Sequence, residues 1–142
     1  MTIEMTPIGV FHTEATDIPR HWSVSDVVGQ IEINEMYAPG LRDIAPGQKV
    51  IVLFYFHKSR KFDPAFLTQT PPHRQKPMGV FSICSPYRPN PIGLSVLEVV
   101  AVEKNILTVK NADMLDGTPI LDIKPHITGT SDCPSCPEDA GN

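Results

Sequence analysis

Apolar and polar positions alternate in short blocks along the chain, and no block has the length and 3.6-residue period of a long amphipathic helix. Residues 3–12 (IEMTPIGVFH) predict a first strand, in which Pro7 marks an edge or a bulge because it has no N–H to give to a ladder. Val27–Ile33 alternates and predicts a second. Lys49–Phe56 (KVIVLFYF) is β-branched and aromatic, with apolar residues at both odd and even positions, the pattern of a central strand buried on both faces. Met78–Cys84 predicts a fourth strand and Leu94–Glu103 a fifth. Ile106–Lys110 predicts a sixth after a hairpin turn at Lys104-Asn105, and Ile120–Ile123 a seventh after a turn centred on Asp116-Gly117. Glu35–Leu41 reads as a short helical turn. Residues 13–26 and 59–77 have no usable period and read as loops, and a loop as long as the second is often functional. Seven short strands predict an all-β sandwich or barrel.

Between the fourth and fifth strands lies Ser85-Pro86-Tyr87-Arg88-Pro89-Asn90-Pro91-Ile92-Gly93-Leu94-Ser95. Each proline fixes its own φ, lacks an N–H and pushes the residue before it towards extended geometry. The segment therefore reads as a stiff loop that holds Ser85, Arg88, Asn90 and Ser95 in place at low entropic cost.

Composition narrows the function. Of 142 residues, 41% are apolar and 20% charged, which is ordinary for a globular domain. The net charge of −4 argues against nucleic-acid binding by overall charge alone. Two local basic clusters remain, His57-Lys58-Ser59-Arg60-Lys61 and His73-Arg74-Gln75-Lys76, at either end of the long loop. No apolar run approaches the roughly 20 residues of a membrane span, and the N-terminus lacks the pattern of a signal peptide, so the expectation is a cytoplasmic protein with no membrane partner. Three cysteines, an odd count, argue against a disulfide framework. Cys133 and Cys136 form a Cys-x-x-Cys without a second pair, so no metal site is expected. They lie in a polar, proline-rich stretch that reads as a flexible tail over 129–142, after a domain over 1–128. No glycine-rich phosphate loop follows any strand.

The succession Gly79-Val80-Phe81, then Ser85 to Ser95, then Asp116-Gly117-Thr118-Pro119-Ile120-Leu121-Asp122-Ile123-Lys124-Pro125-His126 resembles the TrmO (TsaA-like) family of S-adenosylmethionine-dependent tRNA methyltransferases. Weaker matches at Ile8-Gly9-Val10, Pro19-Arg20 and Leu53–His57 extend the resemblance over 3–127. It implies a small seven-stranded β-barrel that forms a homodimer, in a short form without the family's C-terminal domain. It also implies methylation of N6 of threonylcarbamoyl-adenosine at tRNA position 37. By position, the resemblance assigns S-adenosylmethionine contacts to Trp22-Ser23-Val24, to His57-Lys58, and to Leu94 with Met114-Leu115-Asp116-Gly117. Cys84 stands where the family carries an arginine beside the cofactor, so either another cation such as Lys58 or Arg88 replaces it or the cofactor site is altered. Arg88, Asn90 and Lys124 are candidate substrate contacts. By residue type, His57 or Asp122 is the candidate proton acceptor. Two other readings stay open. One is a methyltransferase with a small soft substrate held by Cys84, Cys133 and Cys136, against which Cys84 reads more simply as a small buried apolar residue. The other is a cofactor-binding module without catalysis.

Overall fold

The computed structural model describes residues 1–129. Its strands are β1 (Gly9–His12), β2 (Val28–Ile33), β3 (Lys49–Tyr55), β4 (Thr68–Gln69), β5 (Met78–Gly79), β6 (Ile92–Glu103), β7 (Ile106–Lys110) and β8 (Pro119–Pro125). Short 3-10 turns occupy Trp22–Val24, Glu35–Leu41, Pro64–Leu67 and Val80–Ser82, and there is no α-helix among the described residues. Six strands close an antiparallel barrel in the order β1-β2-β7-β6-β3-β8, while β4 and β5 pair apart from it. Closure needs curvature, and register shifts between Leu53 and Phe54 in the β3–β8 ladder and between Val99 and Ala101 in the β6–β7 ladder supply it.

The period-2 pattern decides which side chains fill the barrel. Phe11, Ile31, Ile33, Val50, Val52, Phe54, Leu97, Val99, Leu107, Val109 and Ile120 point inward and are buried in one cluster. Six strands leave a narrow interior, and large rings need room from small partners. A Cβ on Gly93 would lie 2.2 Å from Cζ of Phe54, so glycine at 93 is what lets that ring lie across β6.

Four sequence expectations change. The barrel has six strands among the described residues, not seven. Met78–Cys84 does not run as a strand: only Met78 and Gly79 pair, with Gln69 and Thr68, and the chain then turns at Val80–Ser82. Val80 is buried there while Phe81 is 80% exposed, so the apolar run never alternates against the barrel. The first strand starts at Gly9 rather than Ile3, because Pro7 cannot donate to a ladder. β3 is not buried on both faces: Val50, Val52 and Phe54 face the core, whereas Ile51 and Leu53 are half-buried and Tyr55 is exposed on the outside. The helical turn at Glu35–Leu41, the hairpin at Lys104-Asn105 and strand β7 occur where expected.

Candidate functional site

At one rim of the barrel, β1 ends while β6 and β8 begin. The segment 112–118 is held there by backbone bonds at several points. Ala112 N donates to Val27 O at 3.0 Å, Gly117 N to Phe11 O at 2.8 Å, and Thr118 N and Oγ1 both to Leu115 O. Gly117 sits at φ +84°, a conformation side chains resist, and that reversal brings it beside His57: a Cβ at 117 would lie 3.8 Å from His57 Nε2. The neighbouring Asp116 carboxylate accepts from Thr13 N at 3.0 Å through Oδ1, which lies 3.9 Å from His12 Nδ1. Oδ2 is without a partner among the described residues, and the side chain is 63% exposed.

A second carboxylate, Asp113, ties this turn to the Trp22 turn. Ser95, an inward position of β6, donates its hydroxyl to Asp113 Oδ1. His21 and the backbone N–H of Trp22 lie close enough to act on the same carboxylate electrostatically. Burial pushes the Asp113 carboxyl above its usual range, and the Ser95 hydroxyl, His21 and the backbone N–H groups offset only part of that. Trp22 packs half-buried against the core, its ring 4.9 Å from that of His21, and Ser23 and Val24 stay exposed. Motif positions alone miss Asp113. The signal for it is Ser95, a polar residue at an inward register position, because a buried hydroxyl needs a partner.

The proline segment is pinned against the long loop. Ser59 Oγ donates to Pro86 O at 2.9 Å, Gln69 Nε2 to Tyr87 O at 2.7 Å, and Phe66 stacks on Tyr87 with ring centroids 5.3 Å apart. Arg60 lies over the same Tyr87 ring, 5.7 Å from its centroid. Arg88 Nη1 donates to Ile83 O and Ser85 O at 3.0 and 3.1 Å, the two carbonyls that flank Cys84. Between the loops is an open hollow of about 360 Å³ lined by Tyr55, Arg60, Lys61, Phe62, Arg88 and Pro91 among others. A hollow of about 400 Å³ lies elsewhere, between Ile8, Ile33 and the Glu35–Leu41 turn, with Asp122 on its wall. It is mostly apolar and touches none of the rim residues just described.

The structure therefore gathers some of the predicted residues and separates others. His57 and Gly117 adjoin at the rim. Trp22 and the 114–117 turn are linked through Asp113. Leu115 is 45% and Leu94 52% exposed, whereas the Met114 side chain is buried in the core and offers a ligand only its backbone. Lys58 and Asn90 are exposed. Asp122 pairs with Lys124 at 3.0 Å and also accepts from Ile123 N. Both of its interactions lie within β8, opposite Leu53 rather than beside His57. Cys84 is exposed, which corrects its reading as a buried apolar residue: the chain leaves the Val80–Ser82 turn with its backbone, not this side chain, held by Arg88. Cys133 and Cys136 lie outside the described residues.

A closed antiparallel barrel with a rim built from a tight glycine turn, a histidine and two carboxylates defines a small ligand-binding β-barrel. The chain belongs to the family of the tRNA-methyltransferase O N-terminal domain, whose model matches residues 8–133. It is 40% identical over 125 residues to a probable S-adenosyl-L-methionine-binding protein of Pyrococcus abyssi, covering 85% of this chain and 66% of that protein. It is 44% identical over 78 residues to the tRNA (adenine(37)-N6)-methyltransferase of Mus musculus, covering 55% of this chain and 18% of that one. Among solved structures, that of TrmO superposes with a TM-score of 0.74 at 27% identity, over 96% of this chain and 63% of that one. The chain thus spans less than two thirds of the TrmO structure, and 66% of the archaeal relative.

Proposed function

We propose that this chain is an S-adenosylmethionine-dependent tRNA methyltransferase, and that its acceptor is N6 of threonylcarbamoyl-adenosine at position 37. The observation that carries the reading is Asp113, which joins the Trp22 turn, β6 next to Leu94 and the 114–117 turn, so that the three stretches form one wall. Family membership and the names of the relatives support it.

The residues fit the cofactor. Glycine at 117 leaves open the space in front of His57 that a Cβ would enter. Leu94 and Leu115 offer exposed apolar surface for a flat base. Asp116 Oδ2 is available to accept from ribose hydroxyls, its partner oxygen being fixed by Thr13. S-adenosylmethionine, when bound, supplies an electrophilic methyl group on a sulfonium. The protein's task is then to align an acceptor nitrogen and to take up its proton. We assign proton uptake to His57, whose Nε2 faces the Gly117 turn, rather than to Asp122, whose carboxylate is engaged by Lys124 and Ile123. Arg88, Asn90 and Lys124 are the proposed substrate contacts, and Arg88, held at the carbonyls beside Cys84, is the proposed replacement for the family arginine.

The homodimer belongs to the same proposal. Two cross-strand pairs, Leu53 with Leu94 and Tyr55 with Ile92, put an apolar stripe on the outside of the barrel, in which Leu94, Ile92 and Tyr55 are exposed and Leu53 is half-buried. Leu94 is both in this stripe and among the proposed cofactor contacts, so the proposed partner subunit would adjoin the site. A barrel domain over 1–128 and a cytoplasmic location go with this reading. A second reading, cofactor binding without turnover, is favoured by Cys84 alone. Titration calorimetry with S-adenosylmethionine and transfer of a labelled methyl group to tRNA lacking the modification separate the two. The expected result is binding and transfer in the wild type, with Asp116→Ala weakening binding about tenfold and His57→Ala lowering kcat while binding persists. Binding without transfer to any tRNA overturns the main reading in favour of the second.

A further inference from the structure

We propose that the hollow between the proline segment and the long loop holds one nucleotide of a single-stranded RNA, with Arg60, Lys61 and Arg88 on its phosphates and Phe62 against its base. The inference rests on the tRNA reading and assigns that substrate a place on the barrel.

Charge is the first argument. The chain carries a net charge of −4, yet this hollow is lined by three cations and no carboxylate. None of the three forms an ion pair among the described residues, where the pairs are His12–Asp116, Arg42–Asp43 and Lys124–Asp122. The acid nearest in sequence, Asp63, does not line the hollow and caps the Pro64–Leu67 turn, accepting from Ala65 N at 2.8 Å. The cations therefore stand unneutralised in a concave surface, where field lines concentrate.

Geometry is the second. Arg88 spends Nη1 on two backbone carbonyls, and its other guanidinium N–H groups have no acceptor among the described residues. Arg60 is steadied over Tyr87, and Tyr87 is in turn clamped by Phe66 and Gln69. The donors are pre-positioned, and binding an anion would cost little further ordering. Phe62, half-buried, lines the same hollow as the three cations. Cations beside an aromatic ring are the combination that holds single-stranded nucleic acid, rings stacking on bases and cations tracking phosphates. An acidic protein surface would use the charges but not the rings.

The test measures a fluorescein-labelled anticodon stem-loop by anisotropy across a salt series, with S-adenosylmethionine affinity measured in parallel on the same full-length chains. Arg60→Ala/Lys61→Ala is expected to weaken RNA binding about tenfold or more and to flatten the log K against log salt slope by about 1.4, two phosphate contacts' worth. Lys61→Glu, at an exposed residue, is the second variant and should act in the same direction without changing Tm. Phe62→Ala should lose about fivefold or more at an unchanged slope. Cofactor affinity should stay within about twofold throughout. If the wild type binds and methylates the RNA while the double variant keeps its affinity and slope, the cleft is wrong and the tRNA reading stands. If heparin competes as well as the stem-loop and Phe62→Ala is silent, the hollow is only an anion patch and the nucleotide assignment falls. A wild type that neither binds nor methylates tRNA overturns the proposed function and this inference with it.

Discussion

On the inner face of the β3–β6 ladder, Phe54 lies across Gly93, and Val52 and Leu97 are fully buried. On the outer face of the same ladder, Leu53 faces Leu94 and Tyr55 faces Ile92, equally apolar, yet Leu94 is 52% and Ile92 40% exposed. The two faces have the same chemistry and opposite environments. Inside, apolar character is explained by the fold. Outside, a single barrel gives no reason for it, because exposed leucines contribute little to stability where they stand. Contiguous apolar surface of this kind marks a place where something else sits.

Substitutions can break that comparison from either side. Phe54→Ala should have the largest effect, destabilising the barrel by about 3–5 kcal/mol in urea unfolding, because the narrow core cannot collapse into the space. Gly93→Ala should cost about 1–3 kcal/mol by forcing a methyl into the Phe54 ring, and Phe54→Leu in the same chain should recover part of the loss. An undiminished midpoint in Gly93→Ala would show that the ring is free to move, and the inner face would then be no tighter than the outer.

Asp113→Asn probes where the inner face meets the site. The folded carboxyl titrates above its ordinary range, so protonation favours the folded state. The stability arising from that shift is complete in acid and is lost as pH rises through the folded pKa. Asparagine removes the titration. The Tm of the wild type should therefore fall relative to Asp113→Asn as pH rises from the ordinary carboxylate range through the folded value, and run parallel above it. A difference that grows towards acid instead would reverse the assignment of burial as the dominant cause. The smallest stability change belongs outside. Leu53→Lys should alter unfolding by about 0.5 kcal/mol or less in dilute protein, while sedimentation velocity shows the dimer converted to a monomer. A monomeric wild type would leave the outer stripe without its proposed partner.

The inner face is legible in the amino-acid sequence, and the outer face misleads for an instructive reason. Lys49–Phe56 is apolar at every position but the first, and the usual meaning of that pattern is a strand with protein on both sides. A barrel strand with an apolar, only partly covered exterior gives the same string. Strand β7, its hairpin and the Glu35–Leu41 turn are readable because local pattern and turn chemistry agree there. Met78–Cys84 is not, because a buried Val80 beside an exposed Phe81 in a 3-10 turn looks like strand alternation over so short a span. At the site, motif positions locate the Gly117 turn and His57 on one rim. They do not show that Asp122 is engaged by Lys124, nor that Asp113 links two stretches 91 residues apart, from Trp22 to Asp113. Those are tertiary facts, set by closure of the barrel.

Trp22 is the only tryptophan in the chain, and its backbone lies beside Asp113 while its ring lies half-covered beside His21. The indole emission of the whole protein therefore originates from one wall of the proposed site. A ligand arriving there, or a movement of the turn, would alter the solvent around a single fluorophore, with no background from elsewhere in the barrel. The molecule carries its own optical gauge at the point where its chemistry is proposed to occur.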